Sequence, residues 1–305
     1  MSNLKICLLG GAGFVGRSIT SRLTNRGHQA IILTRHRERQ RDLLVEPLIT
    51  LVEGDVHDVE FLARQFREVD VVINLIGILN ERGHRGKGFH SAHVALAEKV
   101  VEAVTRNRNP QLLHMSALNA SRDGASYYLR TKGLAEDLVH ERAGEAGYRV
   151  TSFRPSVIFG ARDSFTNRFA SLLRTIPAVF PLACPEARFQ PVHIDDVARV
   201  FVQAIDDPDS HGERVDLCGP TVYTLRQLVT YLDTEIGTRH RIIGLSDWQS
   251  RLQAMIMEWV PGKPFSLDNY RSLLVDSVCE SSDWARFGFS PAHLESIAPR
   301  YLRAR

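Results

Sequence analysis

Through the first half of the chain, short apolar runs alternate with longer stretches in which apolar residues recur every three or four positions. A short apolar run suits a strand buried on both faces, whereas three- to four-residue spacing gathers apolar side chains on one stripe of a helix. The alternation therefore predicts β-α-β units feeding a parallel sheet, with right-handed crossovers. Strands are expected at Leu4–Leu9, Ala30–Thr34, Leu48–Val52, Val69–Leu75, Leu112–Met115 and Val150–Phe153. Between them, Val15–Arg26, Val59–Phe66, Ser91–Arg106 and Ser126–Ala146 carry the helical period.

Beyond Arg154-Pro155 the rhythm loosens, because Pro177, Pro181 and Pro185 break the segment from Phe165 to Glu186 into a short helix and a loop. The run from Gln190 to Val197 predicts a strand ending at a helix, with Asp195 as the capping carboxylate of a helix over Asp196–Ile205. A second, smaller α/β portion is expected from a strand at Arg214–Leu217, a helix at Leu225–Ile236, a strand near Arg241–Ile243 and helices to the end. Trp248–Trp259 is unusually apolar for a connecting region, which suits either a hinge to a partner or core. The expected fold class is α/β. A Rossmann-type doubly wound parallel sheet occupies residues 1–160, and a smaller C-terminal α/β substrate-side lobe occupies residues 161–305, with segments around 189–205 returning to the first domain.

Composition narrows the function classes. With 44% hydrophobic and 24% charged residues in 305, the chain has ordinary globular composition. Lys+Arg of 38 against Asp+Glu of 35 leaves a formal charge of +3, too small a field for sequence-independent binding to nucleic acid. No apolar run approaches the ~20 residues of a membrane-spanning helix. The apolar Ile6–Leu9 runs straight into glycines with only Lys5 ahead of it, unlike a signal peptide, so a cytoplasmic protein is expected. Cys7, Cys184, Cys218 and Cys279 lie far apart with no metal spacing, which argues against a disulfide framework or a metal site and for small buried or half-buried residues.

The candidate chemistry starts at Gly10-Gly11-Ala12-Gly13-Phe14-Val15-Gly16, placed directly between the first strand and the first helix. Glycines at 10, 13 and 16 serve a tight turn, close approach of backbone to a pyrophosphate and close helix-strand packing, so this segment predicts a dinucleotide site. At the end of the second strand, where an NAD-preferring protein offers an acidic residue to the ribose, the chain offers Thr34-Arg35-His36-Arg37. Arg35 suits a 2′-phosphate, so NADP(H) is preferred and NAD(H) remains open. Asp55, in Glu53-Gly54-Asp55-Val56, either accepts from the adenine amino group or caps the next helix, a role that Asp58 fills better. Leu75, Ile76 and Gly77 close the fourth strand at the same edge, where Gly77 lets the backbone lie beside the dinucleotide.

Tyr128 and Lys132 stand four apart on an expected helix, hence one turn apart on one face. With 7 tyrosines and 5 lysines in 305 residues, chance supplies only about 0.1 such pairs. An ammonium beside a phenol lowers the phenol's pKa toward acid-base use, and the lysine can also hold a ribose hydroxyl. Ser116 ends the fifth strand, where its hydroxyl either orients a substrate carbonyl beside Tyr128 or touches only the nicotinamide ribose, Leu118 then standing where a catalytic hydroxyl belongs. The catalytic candidates are thus Tyr128, Lys132 and Ser116.

Taken together, the residues from Gly10 through Asp55, Asn74, Ser116 and Tyr128/Lys132 to Arg154-Pro155-Ser156 resemble the extended and atypical short-chain dehydrogenase/reductase superfamily. Several strings look like one group within it: Val72-Ile73-Asn74-Leu75-Ile76-Gly77, His114-Met115-Ser116-Ala117-Leu118-Asn119-Ala120, Tyr128-Leu129-Arg130-Thr131-Lys132, Arg154-Pro155-Ser156-Val157-Ile158-Phe159-Gly160 and Gly219-Pro220-Thr221-Val222-Tyr223-Thr224-Leu225. That group contains the NADPH-binding accessory subunit of respiratory complex I and its bacterial relatives. The resemblance implies a tightly held NADP(H), with Pro155, Ser156 and Val157 among its neighbours. Two readings follow: an NADP(H)-dependent oxidoreductase acting on a small carbonyl, quinone or sugar-type substrate, or an accessory module whose structural nucleotide supports docking, peripherally, on a respiratory membrane complex. Leu118 departs from the active reductases and epimerases.

Overall fold

The computed structural model of the protein describes residues 3–107, 110–260, 263–281 and 284–303. Its first half runs β1 (Lys5–Leu9), α1 (Phe14–Asn25), β2 (Gln29–Thr34), β3 (Ile49–Glu53), α2 (Val59–Gln65), β4 (Val71–Asn74), α3 (Lys87–His90), α4 (Leu96–Thr105), β5 (Gln111–Met115), α5 (Tyr127–Ala146) and β6 (Val150–Pro155). There follow β7 (Ile158–Phe159), α6 (Thr166–Thr175), β8 (Val179–Leu182), β9 (Arg188–Phe189), β10 (Val192–His193), α7 (Ile194–Gln203), β11 (Arg214–Leu217), β12 (Tyr223–Thr224), α8 (Leu225–Glu235), β13 (Arg241–Gly244), α9 (Asp247–Met257) and α10 (Leu267–Leu273).

Seven strands make one sheet in the order β11-β6-β5-β4-β1-β2-β3, and every pairing in it is parallel. Both faces are covered. Ile19 and Leu23 of α1 and Phe201 of α7 pack on one side with Ile6, Leu8 and Ile32. Leu62 of α2, Val100 and Val104 of α4 and Val139 of α5 pack on the other with Cys7, Leu9 and Val72. Each fully buried large side chain contributes roughly 1.5–3 kcal/mol, so this two-sided burial drives the strands to read as unbroken apolar runs. A separate core around Phe159, Phe180, Phe189, Leu228 and Leu232 holds the smaller lobe.

Four expectations change. The strand Arg214–Leu217, assigned from sequence to the second portion, pairs with β6 and completes the large sheet, because the pattern of one strand does not reveal its partner. Asp195 lies inside α7, not at its cap: the helix begins at Ile194 after an extended His193, and Asp195 accepts from Ser18 Oγ of α1 at 3.0 Å. The helix expected from Ser91 starts at Lys87 and passes through a π-helical turn over Ser91–Ala95, a one-residue bulge that periodicity cannot resolve.

The fourth concerns sulfur. Cys218, just past β11, is disulfide-bonded to Cys279, their Cα atoms 6.1 Å apart, against the expectation that no disulfide forms. The 61-residue separation hides a meeting made by the backbone: Ser277 N donates to Arg188 O at 2.8 Å and Gln190 N donates to Ser277 O at 3.0 Å, laying the C-terminal segment along β9. Closing a loop of this length removes entropy from the unfolded chain. Cys279→Ala, or reduction, should lower the unfolding free energy by about 2–4 kcal/mol, read as a fall in urea midpoint; an unchanged midpoint would refute a stabilising disulfide.

Candidate functional site

Strand order reverses between β1 and β4, so a crevice opens at the carboxyl ends of these two neighbours. Gly10 follows β1 with φ +80°, and its Cα faces Leu75 and Ile76, where an added Cβ would stand 3.4 Å away. A Cβ on Gly16 would come within 2.4 Å of Gly10 O, so α1 lies against the loop at a distance only glycine permits. Gly13 N-caps α1, is exposed and offers no side-chain cap. The first N–H groups of α1, on Phe14, Val15 and Gly16, therefore sit at a helix end open to an anion.

At one end of the crevice, Arg35 is exposed immediately beyond β2. Asp55 is exposed beyond β3 and accepts from His57 N at 2.9 Å, while Val56 is buried beneath it. Asp58 caps α2 by accepting from Glu60 N at 2.9 Å, which leaves Asp55 outside the capping role.

At the other end stands the N-terminus of α5. Ser126 caps it, its Oγ accepting from Leu129 N at 3.1 Å. Lys132 is buried and its Nζ donates to Met115 O at 2.8 Å, at the end of β5; Nζ also lies 3.0 Å from where a Cβ on Gly77 would be. Tyr128 packs edge-on to Phe89 and His93, with ring centroids 6.2 and 5.7 Å away. Ser116 Oγ, on a residue 2% exposed, has no hydrogen-bond partner among the described residues. Pro155 pairs with Leu217 in the sheet, Ser156 Oγ bonds Ser277 O at 2.8 Å, and Val157 O accepts from Val192 N at 2.9 Å, so these three form the floor beside β6.

Burial governs the electrostatics here. It pushes the Tyr128 phenol up to about 12. Burial alone sets the phenol, and the expected lowering by Lys132 is not found; the Lys132 Nζ donates to the Met115 carbonyl. Burial brings Lys132 itself down to about 8, partly opposed by Glu136. His93 is lowered to about 2 by burial first and the Lys132 ammonium second, and His114 falls to about 3 for the same two reasons. The network assigns His93 its tautomer: Nε2 accepts from Ile78 N at 3.1 Å, and Nδ1 donates to Thr131 Oγ1 at 2.8 Å while that hydroxyl donates to Tyr127 O at 2.7 Å.

With this geometry in hand, similarity to known proteins is decisive. A model of the NAD dependent epimerase/dehydratase family matches residues 6–218. The chain belongs to that family. It is 31% identical to NADH dehydrogenase (ubiquinone) 1 alpha subcomplex subunit 9, mitochondrial, of Mus musculus, across 88% of this chain and 69% of the relative. It is 26% identical to the NADH-ubiquinone oxidoreductase 40 kDa subunit of Neurospora crassa, across 97% and 78%. Among solved structures, a variant UDP-glucuronic acid 4-epimerase from Bacillus cereus in complex with NAD superposes with TM-score 0.77 at 17% identity, covering 99% of both chains. The epimerase/dehydratase fold thus spans the whole molecule, and its crevice is where Gly10, Gly13, Gly16, Gly77, Tyr128 and Lys132 converge.

Residues that sequence reasoning missed also shape the site. Asp268, on α10, accepts from Tyr127 N at 2.7 Å and Tyr128 N at 3.1 Å, and Ser272 Oγ donates to Ser126 Oγ at 2.8 Å. Two groups from residue positions some 140 later thereby clamp the first turn of the Tyr128 helix, and no local pattern signals it. His93 was missed because the π turn carries it out of register.

Lys132 yields a pH signature. Its folded pKa of about 8 lies below the 10.5 of the unfolded group, so between these values the unfolded chain binds a proton that the folded chain lacks. Burial of this ammonium penalises folding below about pH 8, and the penalty is relieved as pH rises. The stability difference between wild type and Lys132→Met should shift in favour of wild type by up to ~3 kcal/mol across that window, measured by urea unfolding at successive pH; a flat difference would contradict the burial of a charged lysine.

Proposed function

We propose that the chain holds NADP(H) across the β1–β4 crevice and acts as a nucleotide-bearing accessory module, peripheral to a respiratory membrane complex. The pyrophosphate would lie on the N-terminus of α1, against Gly10, Gly13, Phe14, Val15 and Gly16. Arg35 would meet the 2′-phosphate and Asp55 with Val56 the adenine, while Leu75, Ile76 and Gly77 flank the centre. Tyr128 and Lys132 would hold the nicotinamide ribose above Ser116, Pro155, Ser156 and Val157. The observation that supports a holding role is the Lys132 Nζ, which donates to the backbone carbonyl of Met115 with no hydrogen bond to the Tyr128 hydroxyl among the described residues. The two relatives named as subunits of NADH-ubiquinone oxidoreductase support the respiratory setting. No helix among the described residues is long and apolar enough to cross a membrane.

Protein loaded with NADPH and chased with excess NADP⁺ should keep its nicotinamide fluorescence for hours; exchange within seconds would refute a held nucleotide. Arg35→Ala should weaken NADPH binding about tenfold or more relative to NADH, and equal losses for both would remove the 2′-phosphate assignment.

A second reading, oxidoreduction of a small carbonyl, quinone or sugar-type compound, is favoured by the unpaired buried Ser116 hydroxyl, which is free to donate to a substrate oxygen. When bound, the nicotinamide supplies or accepts the hydride. Tyr128 would then transfer the proton, so Tyr128→Phe should abolish any turnover the wild type shows, at a rate loss of ~10²-fold or more; retained turnover would exclude this mechanism.

A further inference from the structure

A soluble helix normally turns its apolar stripe inward, and α9 does the reverse. The residues it buries are small, Ser250 and Ala254. Ser250 Oγ donates to Ser246 O at 2.9 Å and accepts from Cys184 N at 3.0 Å, so the inner face is a polar seam. Outward stand Trp248, Leu252, Met255, Ile256 and Trp259, which recur at helical spacing down one side and past its end. Trp248 is 66% exposed and Trp259 83%. Of the alternatives weighed from sequence, core does not describe side chains presented in this way.

Charge decides what such a face fits. The loop after β4 carries exposed Arg82, Arg85 and Lys87, with exposed Leu79 at its base. It abuts the Trp259 end of α9: the His84 ring lies 6.0 Å from the Trp259 ring, and Lys263 Nζ donates to Arg82 O at 3.3 Å and Gly83 O at 2.9 Å. Arg251 is exposed on α9 itself. The acidic side chains of the same stretch are engaged within the protein. Asp247 accepts from Tyr270 Oη at 2.6 Å, Glu258 accepts from Leu267 N at 3.3 Å, and buried Glu81 accepts from Gly86 N and Gly88 N at 2.6 and 2.7 Å.

We propose that the outward face of α9, with the Arg82–Lys87 loop beside it, is a docking surface for an anionic lipid membrane. Tryptophans at both ends of an apolar helical face suit the headgroup boundary, where an indole keeps its N–H hydrated and its rings in hydrocarbon. The basic rim matches phosphate headgroups, each cation near such a surface adding affinity that salt screens. A protein partner with a wholly apolar face would leave these cations unmatched. The inference does not rest on the nucleotide role proposed above, since lipid vesicles contain no respiratory complex.

The experiment uses the intrinsic fluorescence of the full chain. Of its three tryptophans, Trp284 is buried at 7% exposure, so a change on mixing reports Trp248 and Trp259. Vesicles of phosphatidylcholine mixed with phosphatidylglycerol should shift emission to shorter wavelength and carry the protein into the pellet. Phosphatidylcholine alone should bind on the order of tenfold more weakly, and added salt should reverse the difference. Trp248→Ser with Trp259→Ser should weaken pelleting by tenfold or more without moving the thermal midpoint. Arg82→Glu with Arg85→Glu should remove the preference for anionic lipid while sparing the fluorescent residues. No spectral shift and no pelleting with anionic vesicles would overturn the proposal, as would binding unchanged by both pairs of substitutions. Self-association abolished by the tryptophan substitutions, in a protein that ignores vesicles, would overturn it in favour of a protein-covered face.

Discussion

The position of α5 along its own axis is the constraint on which the crevice depends. That helix carries Tyr128 and Lys132, and it is pinned at three levels by groups remote in sequence. Asp268 and Ser272 hold its first turn, and Lys132 reaches the carbonyl that ends β5. One turn further along, Glu136, 1% exposed, accepts from Arg154 Nε of β6 and pairs with Arg214 Nε of β11 at 2.9 Å. A buried carboxylate is tolerable only when matched in this way, and stripping either side leaves a charge whose desolvation is uncompensated. A slip of α5 by one residue would break all three at once.

The same burial that fixes geometry sets protonation. Around the end of β4 the chain packs a lysine, two neutral histidines and a serine into a region that water scarcely reaches. His93 stays neutral because burial penalises its charged form and a neighbouring ammonium repels a second proton, and two directional hydrogen bonds define its tautomer. The π turn that contains His93 is the local device that brings this ring against Tyr128, and bulges of this type concentrate at functional sites.

The outward stripe of α9 and the Tyr128 clamp belong to one stretch of chain. Asp247 at the start of α9 accepts from Tyr270 of α10, and α10 carries Asp268 to the first turn of α5. The outward face of α9 and the site that depends on α5 are therefore joined by hydrogen bonds through α10.

Apolar periodicity along the chain sufficed for the parallel sheet, the helices on both its faces and the glycine loop between β1 and α1, because each is a local pattern whose burial follows from spacing. The Tyr128–Lys132 spacing was equally legible, since one helical turn separates them whatever surrounds the helix. What those two residues do to each other was not. Lys132 turned to the Met115 carbonyl, and burial raised the phenol instead of lowering it. The disulfide, the Asp268 clamp, the seventh strand and the exposure of Trp248 and Trp259 likewise required the folded chain. Each is a contact, or a missing contact, between segments far apart in sequence, and residue spacing carries no information about which distant surface a side chain will meet.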